Sequence, residues 1–218
     1  MTLNLDQSIA SAPAETICTA FEGVWRIAGG RLAEVALVVK EAVDRGGPDP
    51  VFVFDDSTGR LIDLDLRGTA EEVQSRLAGD PPAPPARIED DSPRRPGRPK
   101  LGVVPREVTL LPRHWEWLNS QPGGASVALR KLVEEARRAN AARDRARQAQ
   151  EAAYRFITAM AGNEPGYEEA TRALFAGDDA RFEANIRFWP SDIRDHARWM
   201  FLAALDQPGA ANGEERTR

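Results

Sequence analysis

The stretch RRPGRPKLGVVPREVTLLPR, Arg94 to Arg113, decides how the rest of the chain is read. It holds Arg94, Arg95, Arg98, Lys100, Arg106 and Arg113 against one acid, Glu107, in a protein of formal net charge -5. Residues 106–111 are β-prone. Pro112 suits the first turn of a helix, where its missing N–H would have no intrahelical partner in any case. That helix carries Trp115, Trp117 and Leu118, and the run Pro122, Gly123, Gly124 breaks it. A second helix begins at Ala125 and Ser126 and carries Val127, Leu129, Leu132 and Val133. A strand, a helix, a Gly-containing turn and a helix beside local positive charge form the footprint expected of a DNA-binding module.

Outward from this stretch the charge reverses. Residues 1–79 hold 7 Lys and Arg against 13 Asp and Glu, and residues 148–218 hold 8 against 12. Residues 80–147 hold 14 against 9, so a basic zone stands between two acidic ones. At 218 residues, 42% of them hydrophobic and 29% charged, the chain is long enough for a buried core in one or two domains. Its one cysteine, Cys18, has no second cysteine in the chain to bridge to, which favours a reducing compartment. The opening residues lack the basic start and apolar core of a signal peptide, and no apolar run approaches the ~20 residues of a membrane span. The expectation is a soluble, cytoplasmic protein without a membrane partner.

The expected class is α+β. Residues 1–14 read as a tail. Residues 15–79 read as a small β-β-α-β-β-α domain: a hairpin around Glu22 and Gly23, then a helix from Arg31 to Arg45. Its apolar positions Leu32, Val35, Ala36, Val39 and Val43 share a face. Val51 to Phe54 is a buried-strand pattern, Asp55 to Gly59 a turn, and the alternating Ile62, Leu64 and Leu66 a return strand. Thr69 with Glu72 has the spacing of a capping box that opens a short helix. Residues 80–102 read as a linker, rich in Pro and then basic. Residues 126–161 contain neither Gly nor Pro and read either as one long helix or as two helices broken near Asn140. Residues 139–206 read as a helical domain, punctuated at Gly162 to Pro165, at Gly177 and Asp178, and at Trp189 to Ser191. Residues 207–218 read as a polar tail.

Glu107-Val108-Thr109-Leu110-Leu111-Pro112 and Gly124-Ala125-Ser126, within residues 103–138, resemble the ribbon-helix-helix family of bacterial DNA-binding proteins. That resemblance implies a homodimer whose paired strands form a ribbon that enters the major groove. It places Arg106 and Thr109 on the ribbon, and Gly124 and Ser126 against a phosphate at a helix N-terminus. The adjacent Leu110 and Leu111 leave the outward register of the ribbon open. Arg95-Pro96-Gly97-Arg98-Pro99-Lys100 resembles the AT-hook, whose extended Gly-Arg-Pro centre lies in a narrow minor groove. Pro96 stands where that motif normally carries an arginine. The DNA-contact set implied is Arg94, Arg95, Arg98, Lys100, Arg106, Thr109, Gly124 and Ser126. Residues 110–118, 121–126 and 189–196 also resemble a bacterial family known only as a domain of unknown function, which implies no activity.

Catalytic signals are sparse. The two histidines, His114 and His196, are far apart in sequence. Asp192 and His196 have helical i, i+4 spacing, and with Asp195 they form a thin metal-site pattern, but a surface helix pair is the simpler reading. No phosphate loop, G-x-S-x-G or dinucleotide fingerprint occurs. The expectation is a DNA-binding regulator of transcription that acts as a dimer and is not an enzyme, with no cofactor and no metal. The alternative is an interaction or scaffold protein in which Trp115, Trp117 and an alanine seam pack subunits and the basic run is incidental.

Overall fold

A computed structural model describes residues 15–78, 104 and 106–206. The readings of residues 1–14 and 207–218 as tails lie outside these residues. So do the linker and its hook-like core, with Arg94, Arg95, Arg98 and Lys100. The protein is α+β, as expected: the described residues form a three-stranded antiparallel sheet near the N-terminus and seven helices. The chain divides into two compact units, residues 1–79 with 141–218, and residues 80–140.

In the first unit the strands β1 (Ile17–Glu22), β2 (Trp25–Arg31) and β3 (Val51–Asp55) lie in the order β2-β1-β3. The hairpin turns at Gly23, whose φ of 58° favours glycine. A register shift between Ala20 and Phe21 adds one residue to β2, so Arg26 pairs with Phe21 while Ala28 pairs with Ala20. Helix α1 (Leu32–Arg45) follows directly, its first N–H bonded to the Thr16 carbonyl at 2.8 Å. Its buried stripe is Leu32, Val35, Ala36, Val39 and Ala42. Ala42 stands where the sequence periodicity had put Val43, which is exposed.

The central strand β1 is buried on both faces, because strand side chains alternate. Cys18 and Ala20, with Val53 from β3, pack on Leu32, Val35 and Val39 of α1. From the other face Phe21, with Phe54, enters a larger cluster that contains Phe156, Ile157, Leu174, Ile193 and Phe201. These come from α4 (Gly124–Ala161), α5 (Tyr167–Ala176) and α7 (Ser191–Leu205). Phe54 stands edge-on to Phe156, with ring centroids 5.1 Å apart. The sheet is thus covered by α1 on one side and by C-terminal helices on the other. The remaining helix of this region is α6 (Asp179–Ile186), where Asp178 caps the Arg181 N–H at 3.0 Å.

The expected return strand at residues 61–66 does not form. Leu61 makes one bridge to Phe54, and the Ile62 N–H reaches the Val53 carbonyl at 2.8 Å. Beyond it, side chains take over the backbone. Arg76 donates to the carbonyls of Asp65 and Arg67, and the Asp65 carboxylate accepts the Arg67 N–H. The alternation still serves packing, since Ile62, Leu64 and Leu66 lie against the α1 cluster. Helix α2 (Ala70–Ala78) opens with the expected capping box, Thr69 N–H to Glu72 at 2.8 Å and Glu72 N–H to Thr69 at 3.3 Å. The turn after β3 approaches α4 so closely that a Cβ at Gly59 would collide with the Ala152 carbonyl, and Arg155 of α4 donates to the Thr58 carbonyl at 2.8 Å.

In residues 104–140, helix α3 (Pro112–Ser120) begins at the proline, and α4 begins after a turn whose Gly123 and Gly124 have φ of 89° and 75°. Helix α4 has no break near Asn140. Residues 106–111 are not a strand. A ribbon strand is held only by its partner strand, and none of the described residues supplies one.

Candidate functional site

The described residues implied for DNA contact stand together in sequence and at the surface. Arg106 and Thr109 are exposed in the segment before α3, and Gly124 and Ser126 form the first turn of α4, with Ser126 exposed. Further along, Arg137 and Arg138 both pair with Glu134, and Arg147 pairs with Asp144, as expected of a solvated helix face.

A different constellation, in the unit of residues 1–79 and 141–218, has the geometry of a site. It starts from the turn after β3. The Asp55 carboxylate accepts the N–H groups of Ser57 at 2.7 Å and Thr58 at 3.2 Å, and the Asp55 carbonyl accepts the Gly59 N–H at 2.7 Å. This fixes Asp56, whose Oδ2 accepts from the Thr19 hydroxyl at 3.1 Å. On α7, Asp192, Asp195, His196 and Trp199 have the i, i+3, i+4, i+7 spacing that lines one helix face. The Arg26 N–H of β2 donates to Asp192 at 2.8 Å, tying that face to the sheet. Between sheet and helix lies a cavity of ≈ 580 Å³, bordered by Thr19, Arg26, Asp56, Asp192, His196 and Trp199, among others.

Asp56 and His196 meet at the wall of this cavity. His196 Nε2 lies 3.7 Å from Asp56 Oδ1, and the two side chains are 4% and 10% exposed. That separation is too long for a hydrogen bond, and among the described residues neither atom has a hydrogen-bond partner. Leaving a buried polar group unpaired costs about 1–3 kcal/mol. Burial lowers the His196 pKa to about 4, helped by the nearby Arg26 charge, so the ring is neutral at pH 7. Burial raises the Asp56 pKa, with Asp55 adding to it while the Thr19 hydrogen bond and Arg26 oppose it. The His196 ring also contacts Phe156, Phe21 and Trp199, with centroids 4.6, 5.6 and 5.3 Å away. Cys18, buried in β1, has its thiol pushed up to about 12 by burial and then by Asp56 and Asp55. It remains a protonated, unreactive thiol.

The surface helix pair expected of Asp192 and His196 is therefore corrected. His196 is buried and faces Asp56, while Asp192 is held by a backbone N–H of β2. Among the described residues, no group of three or more His, Cys, Asp or Glu could hold a metal ion. His114 is exposed. Sequence reading missed Asp56, Thr19, Arg26 and Trp199. The one legible signal was the periodicity of residues 192, 195, 196 and 199.

The fold and the cavity together define a small α+β protein with a covered sheet and, beside a cavity, Asp56 and the buried His196. Residues 17–201 match the model of a family described as "Uncharacterized protein conserved in bacteria (DUF2239)", and the chain belongs to that family. No curated protein and no solved structure is similar enough to match it. No described helix is long and apolar enough to cross a membrane.

Proposed function

We propose that this protein is a DNA-binding regulator of transcription that dimerises through residues 103–138. The observation that carries this reading is the open apolar surface of residues 104–140. Among the described residues of that span only Leu118 and Ala128 are buried, whereas Val108, Leu111, Trp117, Leu132 and Val133 are exposed. A unit this short with so few buried side chains falls short of a self-standing core. The occupant that fits is a second copy, because residues 106–111 would become a strand only by pairing with the same segment of a partner, and α3 and α4 supply the apolar faces beneath it. Arg106 and Arg113 beside that strand, with Arg94, Arg95, Arg98 and Lys100 before it, supply the positive charge a duplex requires. Phosphate contacts would give affinity, and ribbon side chains would give sequence choice.

A gel shift with mixed duplexes at low and moderate salt, paired with sedimentation of the full chain, tests both parts. The expected result is a dimer that retards DNA. Arg98→Ala combined with Lys100→Ala should weaken binding and flatten the dependence of log K on log salt by about 2. A monomer that leaves duplexes unshifted at low salt would overturn the proposal. A dimer that ignores DNA would instead favour the interaction-protein reading, in which the exposed Trp117 serves subunit contact alone.

A further inference from the structure

The cavity beside Asp56 and His196 carries an inference that rests on none of residues 103–138. Asp56 and His196 border it, and among the described residues their buried Oδ1 and Nε2 have no hydrogen-bond partner. Their 3.7 Å separation excludes a direct bond, yet one nitrogen standing ~2.9 Å from each could donate to both. The neutral imidazole accepts at Nε2 when its proton is on Nδ1, and a carboxylate has only acceptors. With the proton on Nδ1, what both lack is a donor.

The surrounding charge decides what kind of donor. Among the described residues, Asp56, Asp192 and Asp195 line the cavity against one cation, Arg26, so an anion entering would meet three carboxylates. Asp192 and Asp195 already have partners in the Arg26 N–H and Arg194, which leaves Asp56 as the acceptor with an open oxygen. Trp199, half exposed, and Ile17 provide apolar surface at the same wall, and an indole face attracts cations. A bare divalent ion is poorly served, because the described residues hold no ligand cluster of metal-binding size. The volume is in the range of small-molecule sites.

We propose that this cavity binds a small organic ammonium ion, its nitrogen donating to Asp56 and His196 and its apolar arm lying on Trp199. The test titrates the full-length protein with n-butylammonium chloride, with n-butanol and potassium chloride as controls. It is followed by calorimetry and by the imidazole NMR signals. The chain has two histidines, so His196→Phe identifies the signal to watch. The expected result is saturable binding that moves the His196 signal and is at least about tenfold tighter for the ammonium than for the alcohol. Asp56→Asn should weaken it by about tenfold or more, as expected for a lost hydrogen bond to a charged group. Should Asp56→Asn fail to fold, Trp199→Leu at the half-exposed wall takes its place, with a several-fold loss expected. An unmoved His196 signal at millimolar ammonium, equal binding of n-butanol, or a response to zinc alone would each overturn the proposal.

Discussion

In the unit built from residues 1–79 and 141–218, Phe21, Phe54, Phe156 and Phe201 are all withdrawn from water; in residues 104–140, Val108, Leu111, Trp117 and Val133 all face it. Both regions spend apolar residues freely, so composition does not separate them. Closure does. The first has a sheet with two sides to cover and helices enough to cover both. Beside its cavity one oxygen of a carboxylate and one nitrogen of an imidazole are left without a hydrogen-bond partner among the described residues. The second has a short helix and the start of a long one, with nothing among the described residues to lay over them. Where a single chain completes its core, the unexplained atoms point to a small ligand. Where it does not, they point to another macromolecule.

The largest break in this comparison should come from the closed side. Phe21 is fully buried and touches Phe54, Phe156 and His196, so Phe21→Ala removes the ring through which β1 meets the C-terminal helices. A loss of about 3–5 kcal/mol is expected from large-to-small changes at such sites. Denaturant unfolding of the full chain measures it. A loss under about 1 kcal/mol would mean that sheet and helices do not share a core.

Acid should sharpen the contrast next. The His196 pKa is about 4 when folded and about 6.5 when unfolded, so between those values the unfolded chain binds the extra proton. Stability from this group is complete above pH ~6.5 and is lost as pH falls toward 4, by roughly 3 kcal/mol in all. Asp56 acts with the opposite sign: its raised folded pKa withdraws stability as pH rises through and above the ordinary carboxylate range. The diagnostic comparison is therefore between wild type and His196→Phe in unfolding experiments across pH 4 to 7. The wild type should lose stability on acidification, and the variant should lose much less. Parallel curves would show that the imidazole is not buried in its neutral form.

Much of this architecture was legible in the chain because it is written in local rules. Gly23, Gly46, Gly177 and Pro112 mark where elements turn or begin, and the Thr69 and Glu72 spacing marks a capping box that forms with both hydrogen bonds. The return strand was misread because alternation at Ile62, Leu64 and Leu66 reports an extended, half-buried segment and not its hydrogen-bond partners: after the Ile62 N–H reaches Val53, it is the Arg76 side chain that takes the Asp65 carbonyl. The cavity was illegible for a stronger reason. Asp56 sits in what reads as an ordinary polar turn, and its counterpart lies 140 positions later on α7. No periodicity connects them. The packing of Phe21 and Phe54 against the C-terminal helices, with the Arg26 N–H held by Asp192, brings the two groups together.

The smallest effect on folding belongs to the open side, and it divides the two regions most cleanly. Trp117 is 51% exposed on α3. If its outer surface faces only water, Trp117→Ala changes the stability of a dilute chain by no more than about 0.5 kcal/mol, the usual range for surface positions. If a second copy covers it, the same substitution removes a large aromatic contact, and aromatic residues are often those on which interfaces depend. Sedimentation over a concentration series should then show dimers dissociating at concentrations where wild type stays paired, while unfolding measured at low concentration hardly moves. A variant that loses several kcal/mol as a monomer would place Trp117 in a closed core, and the contrast between the two regions would fail at the residue chosen to represent it.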